Sequence, residues 1–251
     1  MFLELLNVQN YVFNPYALPT FSTAAVLLFA VFQLFMHQDQ ARVRVPLILA
    51  LLATSTWLVA FSFMYCSKDE SVALGWAKLG YLGIPFICAA IYETTVRIHG
   101  LYETQKFLVW VSWTTSLIFA VFAFDPNLIP NVRRYWWGFY PQYGTGGAIF
   151  MGYFGIMAGG SLWHYYRAYE QTKSSPRKRV IKLISFGILV GCLASVDFIP
   201  KLGISLYPFG YFCVFISALF IAEGISADAQ EPTRISGAKP IQSVEHRGTL
   251  S

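Results

Sequence analysis

The chain has 251 residues, of which 56% are hydrophobic and only 12% charged, about half the roughly 25% charged fraction of ordinary soluble domains. With a mean hydropathy of +0.50, this excludes a soluble globule and makes lipid the solvent for most of the chain. The formal charge of +5 does not indicate nucleic acid, because the basic residues sit between apolar runs instead of forming one basic face with stacking aromatics.

Residues 1–14 carry Glu4 and no basic n-region, so no cleaved signal peptide is expected there. They read as a short extracytoplasmic lead-in. A hydrocarbon core of about 30 Å takes about 20 apolar residues per helix. Residues 15–225 supply seven such runs, at 15–36, 45–64, 72–96, 107–124, 147–166, 180–202 and 208–225. The expected fold is therefore an all-α membrane protein, a seven-transmembrane helix bundle. The third run contains Gly80, Gly83 and Pro85, which predict a kink. Residues 226–251 turn polar, with Pro232, Gly237, Pro240 and Gly248, and are expected to form a disordered cytoplasmic tail.

Basic residues are retained on the cytoplasmic side of a membrane. Arg42, Arg44, Arg97, Lys106, Arg167, Lys173, Arg177, Lys178, Arg179 and Lys182 all lie after runs one, three and five. The opposite side holds only Lys68, Lys78, Arg133, Arg134 and Lys201. This predicts an N-terminus outside and a C-terminus inside, in a multi-pass protein of the cell's inner membrane. The run from Lys173 to Lys182 also suits anionic lipid headgroups.

The segment 125–146 between runs four and five is rich in Tyr and Trp. It reads either as an interfacial aromatic cap or as a lid, with Arg133 and Arg134 beside Trp136 and Trp137 holding an anionic or aromatic ligand. Gly155 and Gly159 in run five, and Gly187 and Gly191 in run six, form GxxxG spacings. These let helices approach closely, within the bundle or between two copies.

Ionisable residues inside spans are costly and are functional candidates by default. The expected orientation puts Lys78 and Asp197 at similar depth near the outer mouth, which allows an ion pair. Together Trp76, Lys78, Tyr81, Ser195, Asp197, Pro200 and Tyr207 would line an outer cavity. The alternative for Lys78 and Lys201 is snorkelling to the headgroups. Glu93 has Arg97 four residues on as its helical partner. Glu223 falls with Glu93 near the inner face.

Motifs for chemistry are missing. The last run has no lysine for a retinal Schiff base, no HExxH, P-loop or GxGxxG occurs, and 144–147 lacks a serine nucleophile. His37, His99, His164 and His246 are isolated. Cys66, Cys88, Cys192 and Cys213 lack metal-ligand spacing and read as small core residues. No enzyme activity, cofactor or metal is expected.

Three motifs then come together. They are Gly75-Trp76-Ala77-Lys78-Leu79-Gly80-Tyr81-Leu82-Gly83-Ile84-Pro85, Trp137-Gly138-Phe139-Tyr140-Pro141 followed by Gly144, and Asp197-Phe-Ile-Pro200-Lys-Leu-Gly203-Ile-Ser-Leu-Tyr207-Pro208-Phe-Gly210. In order and spacing they resemble the bacterial seven-transmembrane sensor domain found at the N-terminus of many histidine kinases and diguanylate cyclases. The resemblance implies an input domain that senses a signal at the outer face or in the membrane and relays it through the seventh helix. No phosphoacceptor histidine context, ATP lid or cyclase motif follows that helix. The output module is therefore expected on a separate polypeptide. The alternative is a non-catalytic accessory subunit of a larger membrane complex. Membrane lipids and one protein partner are expected, and no nucleic acid.

Overall fold

The computed structural model describes residues 2–36 and 41–236. A short lead-in, helix α1 (Phe2–Leu5) and a 3-10 turn (Val8–Asn10), precedes α2 (Ala17–Met36) and α3 (Ala41–Cys66). The third column is two helices, α4 (Glu70–Gly80) and α5 (Ile84–Ile98), followed by α6 (Tyr102–Phe122). A hairpin of β1 (Val132–Tyr135) and β2 (Gly138–Pro141) leads into α7 (Thr145–Gln171). Helix α8 (Ser175–Cys192) runs on as 3-10 turns through Leu202, and α9 (Gly210–Ser236) is the last described element.

Five of these columns are long and apolar enough to cross a membrane: Ala17–Met36, Val43–Cys66, Glu70–Ile98, Tyr102–Phe122 and Ser175–Leu202. Gly210–Gly224 is a shorter apolar helix. Exposed Phe29, Phe32, Trp110, Leu117 and Val121 on α2 and α6 suit a lipid solvent, in which an apolar exterior carries no penalty.

The helices form a ring. Helix α2 packs on α3, α3 on α5, α5 on α7, α7 on α8, α8 on α9, and α9 back on α2, with α6 outside against α5. Buried hydroxyls stitch neighbours together. Thr20 and Ser62 lie 2.7 Å apart between α2 and α3. Ser116 donates to the Pro85 carbonyl at 2.8 Å, and Tyr153 to the Ser112 carbonyl at 2.9 Å, joining α6 to α5 and α7.

The kink expected in the third run is a full break at Tyr81–Gly83. Pro85 sits in the first turn of α5, where its missing N–H costs nothing. Gly83 is packed against α3 so closely that a Cβ there would lie 2.2 Å from the Ala53 carbonyl oxygen. Helix ends leave backbone groups without intrahelical partners, so this break opens the bundle to side-chain bonding at one level.

Two expectations are corrected. The aromatic segment 125–146 contains a hairpin, whose Trp136–Trp137 turn is closed by Gly138 at φ +134°, a conformation L residues rarely adopt. The tail is not disordered throughout, because α9 continues to Ser236. Ala227, Ala229 and Gln230 favour helix. The remainder of the tail, 237–251, with His246, and the connection 37–40, with His37, lie outside the described residues.

Candidate functional site: a buried polar layer beneath the hairpin

The hairpin lies over the bundle end formed by the break after α4, the C-terminus of α3 and the start of α9. Its register pairs Val132 with Pro141 and Arg134 with Phe139. Trp137 and Tyr140 are fully buried. Asn14 fixes the turn from the lead-in, its amide donating to the Tyr65 and Trp137 carbonyls at 2.8 Å each.

The segment after α8 is strapped to this hairpin by five hydrogen bonds. Arg133 donates to the Gly203 carbonyl (3.0 Å), Tyr135 and Gln142 to the Pro200 carbonyl (2.8 and 3.0 Å), Tyr140 to the Asp197 carbonyl (3.1 Å), and the Tyr143 N–H to the Lys201 carbonyl (3.0 Å). Burial holds the Tyr140 and Tyr143 phenols above their ordinary range, so both remain protonated; the Tyr140 hydroxyl donates, while the Tyr143 hydroxyl accepts from Tyr81 and Lys201.

Lys201 lies inside this layer, 2% exposed. Its amine donates to the Tyr81 hydroxyl at 3.0 Å and the Tyr143 hydroxyl at 3.3 Å. The rings of Phe61, Tyr81, Tyr143 and Phe198 surround it at 4.9 to 5.7 Å. Tyr81 and Tyr143 also hydrogen-bond each other. One side chain thus ties the α4–α5 break, the exit of the hairpin and the end of α8. Snorkelling is excluded for it, because the 3-10 turns of Leu193–Leu202 direct the amine inward.

Asp197 is 5% exposed and accepts the Gly210 N–H at 2.8 Å on Oδ1. It caps the N-terminus of α9, where four N–H groups need acceptors and the helix dipole favours an acceptor oxygen. Only glycine fits opposite it, since a Cβ on Gly210 would lie 2.7 Å from all three carboxyl atoms.

The expected Lys78–Asp197 pair does not form. Lys78 donates to the Phe124 carbonyl at 3.2 Å, at the surface. The expected outer cavity also does not gather its residues. Trp76 stacks on Phe63 at 4.6 Å and donates to the Tyr11 hydroxyl. Tyr207 packs among Tyr16, Trp136 and Trp137. Of the four candidate ligand-holding residues in the hairpin, Trp137 is buried in a stack with Tyr135, whereas Trp136 is 62% exposed. Arg133 and Arg134 lie over Tyr135 and Phe139. The segment therefore caps the bundle, with Arg133 bonded outside it to the Gly203 carbonyl and the Trp137 indole N–H buried without a hydrogen-bond partner.

At the opposite end Glu93 meets Arg97 at 2.6 Å and accepts the Trp113 indole N–H at 2.7 Å. Arg97 in turn lies 3.9 Å from the centre of the Tyr102 ring. Glu223 is exposed. The two glycine pairs differ. Gly187 and Gly191 pack α8 onto Ser217 and Ile221 of α9, while Gly155 and Gly159 face open space.

Between the ring helices lies a partly open cavity of about 120 Å³, lined by residues of α2, α3, α5, α7, α8 and α9. Its walls are kept back by small side chains, among them Ala50, Cys88, Ala158, Gly191 and Ala218. Among the described residues no His, Cys, Asp and Glu group of three or more is placed to hold a metal.

Tyr143, Tyr140, Gln142 and Phe61 are parts of the layer that sequence reasoning missed, as is the role of Gly210. The usable signal was Pro208-Phe-Gly210 before an apolar run, which marks a helix start in need of an acceptor. Compared with known proteins, the chain matches no protein-family model and no curated protein.

Proposed function

We propose that the chain is a multi-pass membrane sensor in which the hairpin layer passes a signal to α9, and α9 to a separate output protein. The observation that carries this reading is the hydrogen-bonded path from the Tyr140 hydroxyl to the Asp197 carbonyl, and from the Asp197 carboxyl to the first N–H of α9. The resemblance to the seven-transmembrane sensor domain of histidine kinases and diguanylate cyclases supports the same role.

In this reading all seven helical columns span the inner membrane, α7 and α9 included. The hairpin faces outward. The basic residues of the opposite end, Arg97, Lys106, Arg167, Lys178 and Lys182, face the cytoplasm. The chain itself is not catalytic.

The test is purification from native membranes in mild detergent, with the co-purifying protein identified by mass spectrometry and its output measured with wild type and Asp197→Asn. The expected result is a kinase or cyclase partner whose activity changes at least about threefold at unchanged protein level. A fixed-stoichiometry complex without an output module overturns the reading in favour of an accessory subunit.

A further inference from the structure

The cavity between the ring helices has the attributes of a ligand site rather than a packing fault. At about 120 Å³ it is close in size to an engineered apolar cavity of roughly 150 Å³ that stays dry and takes up benzene. Water finds little to hold it. Among the described residues no acidic or basic side chain lines the space; of its two hydroxyls, that of Thr54 is already committed to the Ala50 carbonyl at 2.8 Å and that of Ser217 is the other. A buried water needs two to four polar partners, whereas the walls offer the single Ser217 hydroxyl among aliphatic carbons, thiols, Phe154 and Met157.

Its position matters as much as its chemistry. All six ring helices contribute to it, and α9 does so through Val214, Ser217, Ala218 and Ile221. Ser217 lies seven residues beyond Gly210, about 10 Å along the helix. An occupant therefore touches α9 directly beneath the turn that Asp197 caps.

The geometry points to this cavity as the binding site for a small apolar molecule, a hydrocarbon of about benzene's size. That chemistry has two sources, a free hydrophobic solute or the end of a membrane lipid's acyl chain. The inference deepens the sensor reading by naming what α9 responds to. Binding itself is measured without any partner, so its failure leaves the hairpin-to-α9 relay standing, and failure of the relay leaves the site standing.

The experiment uses the full chain in phosphatidylcholine nanodiscs, with benzene as the probe and modification of Cys88 and Cys192 by N-ethylmaleimide as the readout. Both thiols line the cavity, and Cys66 lies outside it and serves as the internal control. At ten times its Kd, benzene leaves about one site in eleven empty. Modification of Cys88 and Cys192 should then slow about tenfold, with Cys66 unchanged. Ala158→Leu, which fills the space, should abolish the protection, and Ala50→Leu serves if that variant does not fold. A second arm uses phosphatidylcholine with a photoreactive group at the chain end. Cross-linking to Phe154 or Met157 that benzene displaces identifies the acyl chain as the source. Benzene protection without cross-linking identifies a free solute. Neither protection nor cross-linking, or protection equal in the filled variant, overturns the proposal.

Discussion

Replacing Asp197 by alanine removes the one side-chain acceptor at the start of α9. The Oδ1 atom takes the buried Gly210 N–H at 2.8 Å. Loss of an N-cap costs about 1 kcal/mol at an exposed helix start, and burial of the unpaired donor places this one within roughly 1–3 kcal/mol. At about 2 kcal/mol, the fall in Tm is about 6 °C for a chain of this size. Asp197→Asn keeps an acceptor oxygen and should lose no more than about 3 °C by the same scaling. Thermal unfolding in one detergent, followed by near-UV circular dichroism, separates the two. A double-mutant cycle with Gly210→Ala sharpens the test, because the added Cβ lies 2.7 Å from the Asp197 carboxyl atoms. That substitution should destabilise the wild type but be neutral or stabilising when residue 197 is alanine. An Asp197→Ala variant melting within about 2 °C of wild type, or additive effects in the cycle, would refute the capping argument.

Three further outcomes follow from local geometry. Gly155→Ala meets nothing within 4 Å and should gain up to about 1 kcal/mol of helix propensity, whereas Gly187→Ala runs into Ile221 at 2.9 Å and the Ser217 carbonyl at 3.1 Å and should lower Tm. Glu93→Gln leaves Arg97 without its opposite charge and should cost about 1–3 kcal/mol in denaturant unfolding. Burial, with Arg177 and His164 nearby, depresses His99 to about 4 from its ordinary value of 6.5. The unfolded chain therefore binds the extra proton first, so stability is full above pH 6.5 and falls as pH drops toward 4. His99→Gln should flatten that dependence in a series of thermal melts.

The helical columns were legible because runs of about 20 apolar residues have few alternatives in lipid. Their ends were less so. Residues 193–202 read as the rest of a helix, yet they form 3-10 turns, and that change of winding is what turns Lys201 inward to Tyr81 and Tyr143. A lysine near a span end reads from sequence as a snorkelling group, and only the local winding of 193–202 excludes that. The hairpin was hidden because its pairing, Val132 to Pro141 around Trp136 and Trp137, is aromatic on both faces and lacks the alternation of a half-solvated strand. Asp197 stood out as a short acid in an apolar stretch, but its partner is a backbone N–H thirteen residues on, which no side-chain pattern reveals. The Glu93–Arg97 contact, by contrast, is local and follows from helical spacing alone.

The proposed relay requires that the hairpin and the start of α9 be coupled through the segment containing Asp197. Tyr140→Phe cuts that path at its hairpin side, removing only the bond to the Asp197 carbonyl. Hydrogen–deuterium exchange of the full chain in nanodiscs reads the consequence at the first turn of α9. The account predicts that amides 210–214 exchange about fivefold faster in the variant, the equivalent of roughly 1 kcal/mol, while those of α5 keep their wild-type rates. Unchanged exchange in that first turn would contradict it.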